Sequence, residues 1–171
     1  SYQAAAVAAG GLGLALKGAV TTAMDFEKSM QAVAAVSGAT GKDFSSLTGL
    51  AKDLGRSTQF SATEAAGAME MLSMAGLTTE QILKATGPTL NLAAAGAIEL
   101  SEAADIATNV MGGMGLQVSD LGKINDVLAK TSSSANTNVR EMAGVFEKVG
   151  GVAPGLGVSL ETVSGMAGIL A

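Results

Sequence analysis

The side chains best able to do chemistry in this chain are carboxylates, because the sequence has no His and no Cys. That removes imidazole bases, thiolate nucleophiles, disulfides and the usual zinc ligands together. Glu99, Glu102 and Asp105 cluster at helical spacing and could in principle move protons or hold an oxygen-ligated cation. Cation loops normally bring a denser ligand set. A run of acids is also what the start of a helix favours, since negative charge there complements the macrodipole. Lys130 beside Ser132 to Ser134 has the residue types of a Ser-Lys nucleophile pair. The three serines also read as small hydroxyls at the fraying polar end of an amphipathic helix that bears Leu121, Ile124 and Leu128.

The glycine-rich stretches fail as phosphate loops. Gly41-Lys42-Asp43 lacks the upstream Gly of a P-loop and has Asp where a Ser or Thr should meet magnesium, and Gly10-Gly11-Leu12-Gly13 follows no strand. Met69, Met71 and Met74 beside Gly76 read first as core, with an adaptable partner surface as the alternative. The sequence therefore predicts no catalytic residue, no cofactor site and no metal site, and the chain is not expected to be an enzyme.

Composition indicates what the elements must do instead. The chain of 171 residues is 48 % hydrophobic but only 3 % aromatic, carries 15 % charged residues and has nine Met and no Trp. Its apolar mass is thus Ala, Val, Leu and Met, small or adaptable side chains that let helices approach closely while each contributes little area. With a mean hydropathy of +0.40, a lone monomer would struggle to cover its surface with polar groups, which points to assembly, a crowded lumen or a membrane. The net charge is −5 and no basic stripe exists, so direct nucleic-acid binding is not expected.

The predicted class is all-α: Ala/Gly-rich helical hairpins in a bundle or short array, preceded by a longer N-terminal helix. Residues 1–37 form the N-terminal unit. Within it Ala4 to Met24 is near membrane-span length, but Gly10, Gly11, Gly13 and Gly18 make it a poor lipid partner; it reads as packed on other chains, as membrane-active, or as a signal segment. Phe26, Met30, Val33 and Ala34 share one face up to the breaker Ser37-Gly38-Ala39-Thr40-Gly41. Residues 42–171 form the second unit. Phe44, Leu47, Leu50, Ala51 and Leu54 stripe a helix expected to end at Gly55.

Start signals then recur. Ser61-Ala62-Thr63-Glu64 and Thr78-Thr79-Glu80-Gln81 are capping boxes, and Ser101, Ser119, Asn138 and Ser159 are further N-cap candidates. Pro88 should occupy a first turn or a kink between Ile82–Ala85 and Leu90–Ala95. Ser61, Ser101 and Asn138 open units at a period of roughly forty residues, typical of helix-pair modules. Within these units come Gly-apolar steps at Gly76-Leu77, Gly115-Leu116 and Gly157-Val158. The stripe Ala62, Ala65, Ala66, Met69, Leu72 returns as Val139, Met142, Ala143, Phe146, Val149, and these ten form the candidate packing or interaction face. The middle unit fits only when shifted by one residue, as Ala103, Ile106, Ala107, Val110. Antiparallel hairpins with ordinary caps would look similar.

Several stretches carry a family resemblance in consistent order: Phe60-Ser61-Ala62-Thr63-Glu64-Ala65-Ala66, Met74-Ala75-Gly76-Leu77, Asn91-Leu92-Ala93-Ala94-Ala95, Ala103-Ala104-Asp105-Ile106-Ala107, and Asp126-Val127-Leu128-Ala129-Lys130 followed by Ala135-Asn136-Thr137-Asn138-Val139. From about Phe26 onward the chain resembles the core region of phage tail tape measure proteins. That resemblance implies a structural tail protein without catalytic residues here, sited in the tube lumen or tail tip of the virion after assembly in the host cytoplasm, where it helps set tail length. Implied partners are other copies of itself, such as a trimer, tail tube and tip or baseplate proteins, tail assembly chaperones, and a host membrane on genome ejection. The alternative is a membrane-active, channel-forming segment released during ejection. The chain begins at Ser1 without Met and stops within a helix at Ala171, so it is expected to be a fragment truncated at its C-terminus.

Overall fold

A computed structural model describes residues 21–135 and 137–170. They are helical throughout, with no strand among the described residues. Helix α1 occupies 21–37, followed by α2 (Gly41–Ser57), α3 (Ala62–Met74), α4 (Thr79–Gly96), α5 (Leu100–Gly113), α6 (Leu121–Ser134), α7 (Val139–Val149) and α8 (Leu160–Leu170). Short 3-10 turns at Val118–Asp120 and Pro154–Leu156 join α5 to α6 and α7 to α8. Most of the Ala4 to Met24 stretch lies outside the described residues, and no described helix is long and apolar enough to cross a membrane.

Several of the helices are joined by one repeated device. At the end of α3, Gly76 takes φ +86, a left-handed conformation that costs glycine nothing. This lets the N–H of Leu77 donate to the carbonyl of Leu72 at 3.2 Å, while buried Leu77 anchors the turn. Thr78 then opens α4 as half of a reciprocal capping box with Gln81. The same order of left-handed residue, apolar anchor and cap follows α5, through Gly115, Leu116 and Gln117, and precedes α8, through Gly157, Val158 and Ser159. It also closes α4, where the left-handed residue is Ala97 at φ 47 and the N–H of Ile98 donates to Ala93 at 3.1 Å.

Four sequence expectations need correction. Ser101 is not a cap: α5 starts at Leu100 behind Glu99, two residues earlier than a Ser101 cap would place it, because the turn at Ala97 brings the chain round sooner. Ser119 is not a cap either: it lies inside a 3-10 turn that Gln117 opens, with the N–H of Gln117 donating to the Asp120 carboxylate at 2.9 Å. Helix α2 runs past Gly55 to Ser57. That glycine serves a close approach instead, since a Cβ there would sit 2.6 Å from the backbone nitrogen of Ala62. Pro88 does not occupy a first turn, the first of its two expected places; it lies inside α4, with Gly122 of α6 beside its ring. An interior proline forfeits a backbone bond at a cost of about 3 kcal/mol, so the packing of α4 on α6 must offset it. That pairing is the most extensive in the molecule.

The main packing is local in order. From α2 to α8, each helix packs on the next one and on the next but one. The result is a short array in which interior helices are covered on several sides. Helix α3 accordingly buries Ala65, Ala66, Ala68, Met69, Leu72 and Ser73, more than a single stripe, and α5 buries Ala103, Ala104, Ile106, Ala107 and Val110. Met30 and Val33 of α1 join the same continuous core, and Lys52 of α2 stands 5.6 Å from the centre of the Phe26 ring.

Candidate interaction surface

Of the clustered carboxylates Glu99, Glu102 and Asp105, Glu102 pairs across helices. Glu102 accepts from Nε and Nη2 of the Arg140 guanidinium on α7, the Nη2 bond being 2.7 Å, and this pairing holds its carboxyl below the usual range. Asp105 borders a small cleft of about 130 Å³ between α5 and α7. Among the described residues no group of acids could hold a metal ion. Ser132, Ser133 and Ser134 donate their hydroxyls back to the carbonyls of Ala129 and Lys130, as helix-end serines do.

The ten residues of the candidate face separate by depth. Ala65, Ala66, Met69, Leu72, Val139, Met142 and Phe146 are buried within the chain, Ala62 and Ala143 are half-buried, and Val149 is exposed. Met69 is core, Met71 half-buried and Met74 exposed.

The large open surface lies at the far end of the array. Asn138 opens α7 by accepting from the N–H of Glu141 at 2.9 Å, while the Glu141 carboxylate accepts from Thr137 and from the backbone of Asn138. Helix α7 ends at Val149, the 150–159 connection doubles back, and α8 returns beside α6 and α7. Between α7, this connection and α8 runs a groove of about 1150 Å³. Buried Ala153, Val163 and Ala167 form its floor. Its walls are Val145, Val149, Val152, Leu156 and Met166, of which Val152 is 61 % and Leu156 74 % exposed. Polar groups, including Glu141 and Lys148, stand at its rim.

Charge pairs fix the helices behind this groove. Arg140–Glu102 ties α7 to α5, and Lys123–Glu161, at 2.6 Å, ties α6 to α8. The Lys123 ammonium, with the backbone of Glu161 and Ser159 beside it, lowers the Glu161 carboxyl from 4.5 to about 2. The groove itself offers apolar area with its polar groups at the rim, an arrangement that can take up apolar side chains. Sequence reading marked the α7 stripe as apolar but missed the groove, because Val152, Leu156 and Met166 become neighbours only through the 150–159 turn.

The described residues form a strand-free array of short helices closed by caps and salt bridges, an all-α helical module. The chain belongs to the phage-related minor tail protein family, whose model matches residues 48–171. It is similar to the tape measure protein of Pneumococcus phage Dp-1, 33 % identical over 147 residues, which covers 86 % of this chain and 13 % of that relative. It is also similar to the probable tape measure protein of Escherichia phage P2, 30 % identical over 175 residues, covering 97 % of this chain and 21 % of that one. The chain thus spans a small part of the length of these curated relatives. No solved structure matches it significantly.

Proposed function

We propose that this chain is a compact packing module within a tape measure protein, acting in the tail tube lumen or at the tail tip as a scaffold for assembly rather than as the length-encoding ruler. The observation that carries this reading is the folding back of the chain. A continuous helix advances about 1.5 Å per residue and can encode length in residue count. Here no helix from α2 to α8 exceeds 18 residues, and each turns back on its predecessors, so added residues add width before they add reach. The unit 42–171 is the module, with 1–37 leading into it. Its partners are other copies of the same protein and tail tube or tip proteins. The chain acts by helix packing and not as an enzyme.

The test is an in-frame deletion of residues 61–76, which removes α3 and its exit turn from the middle of the core. Tails should fail to assemble or assemble aberrantly, as seen by electron microscopy of lysates. Normal tails shortened in proportion to the residues removed would instead make this region part of the ruler.

A further inference from the structure

The last helix of the array is finished without a polar cover: α8 has Glu161 as its only charged residue among 160–170. One side of it, Leu160, Val163 and Ala167, is buried, whereas Met166 is 47 % and Ile169 86 % exposed. A helix apolar on both sides is suited to burial between neighbours.

The packing rule says which neighbours are missing. Every helix from α2 to α6 is covered by the two that follow it, but α7 has only α8, and α8 has none. The groove between α7 and α8 lies where the next helix in the series would contact both. We propose that this groove seats a ninth helix of the same chain, lying beyond residue 171 in a protein of its relatives' length, of which this chain covers 13 % and 21 %. That helix presents an apolar stripe to Val149, Val152, Leu156 and Met166, and the next unit carries the polar outer face that α8 lacks. The inference stands apart from the tail-assembly reading, since it concerns how one chain folds and is read without tails.

Single cysteines at Val152, Met166 and, as a control on exposed α3, Met74 can report the difference by maleimide labelling, because the 171-residue sequence has no Cys. All three should label readily in the 171-residue chain. In the full-length protein Val152→Cys and Met166→Cys should label at least about tenfold more slowly, with Met74→Cys unchanged, and the protection should survive dilution. If the full-length protein cannot be kept soluble, the chain extended by about forty residues, room for a further helix pair, should show the same protection. Equal labelling in the long and short chains overturns the proposal. So does protection that disappears on dilution, which makes a second copy the occupant. Protection already present in the 171-residue chain and lost when residues 1–20 are removed overturns it too, by assigning the groove to that segment.

Discussion

Ala97 closes α4 in a left-handed conformation at φ 47, the position that glycine fills after α3 and α5 and before α8. For an L-residue this conformation costs roughly 1–2 kcal/mol, because Cβ crowds the following carbonyl. Replacing Ala97 with Gly relieves that strain but gives the unfolded chain more freedom, which costs about 0.4–1 kcal/mol. Ala97 is exposed, so little packing is lost with its methyl. The balance for Ala97→Gly is a stabilisation of about 0.5–1 kcal/mol, or an increase in Tm of about 1–4 °C for a chain this size. Gly76→Ala runs the exchange backwards at φ +86 and should destabilise by about 1 kcal/mol or more. Urea unfolding followed by circular dichroism measures both, with the slope of the transition checked for constancy. If Ala97→Gly proves neutral or destabilising while Gly76→Ala destabilises, the equivalence of the two turns is wrong.

Other perturbations probe the interior and the clasps. Buried Asn125 donates to the Thr89 hydroxyl at 3.3 Å but its carbonyl oxygen has no partner, so Asn125→Leu should be near neutral or stabilising by denaturant titration. Thr89→Val strands the whole amide and should cost about 1–3 kcal/mol by the same assay. Ser61→Ala removes the hydroxyl that accepts from the N–H of Glu64 and should cost about 1 kcal/mol, read as a lower urea midpoint. The Glu161 carboxyl is lowered from 4.5 to about 2, so its contribution to stability is present above about 4.5 and is lost as the pH falls toward 2. An NMR titration of Glu161 should show that low midpoint, and Lys123→Met should raise it toward the ordinary carboxylate range; an unmoved midpoint would show that Lys123 is not its main cause.

What could be read ahead of the structure depended on whether both halves of a signal were present in sequence. Ser61 with Glu64, Thr78 with Gln81 and Asn138 with Glu141 each supply hydroxyl or amide and return carboxylate or amide, and all three open helices. Ser101 and Ser119 misled because Ser is the commoner cap, whereas Glu99 and Gln117 sit there by virtue of the turns before them. Gly55 and Pro88 were read by their backbone habits. Each is retained inside a helix by a neighbour distant in sequence, Ala62 for one and the α6 surface for the other. The apolar stripe of α7 was visible, but its division into buried Phe146 and exposed Val149 depends on which flanks α5, α6 and α8 cover. Periodicity records that a face is apolar, not what it faces.

The nearest-neighbour order of the helices also bears on how the protein is made. Contacts that join mainly consecutive or alternate helices keep contact order low, and such topologies fold quickly, without long loops to close. On the ribosome, each new helix emerges to find one or two of its partners already synthesised, and none has to wait for the far end of a very long chain. Helix α4 illustrates the one delay: with Pro88 in its interior, it gains its main support only when α6 arrives. Each arriving helix thus covers apolar surface that the previous two had left bare, so a nascent chain exposes a single moving edge rather than a growing sticky surface.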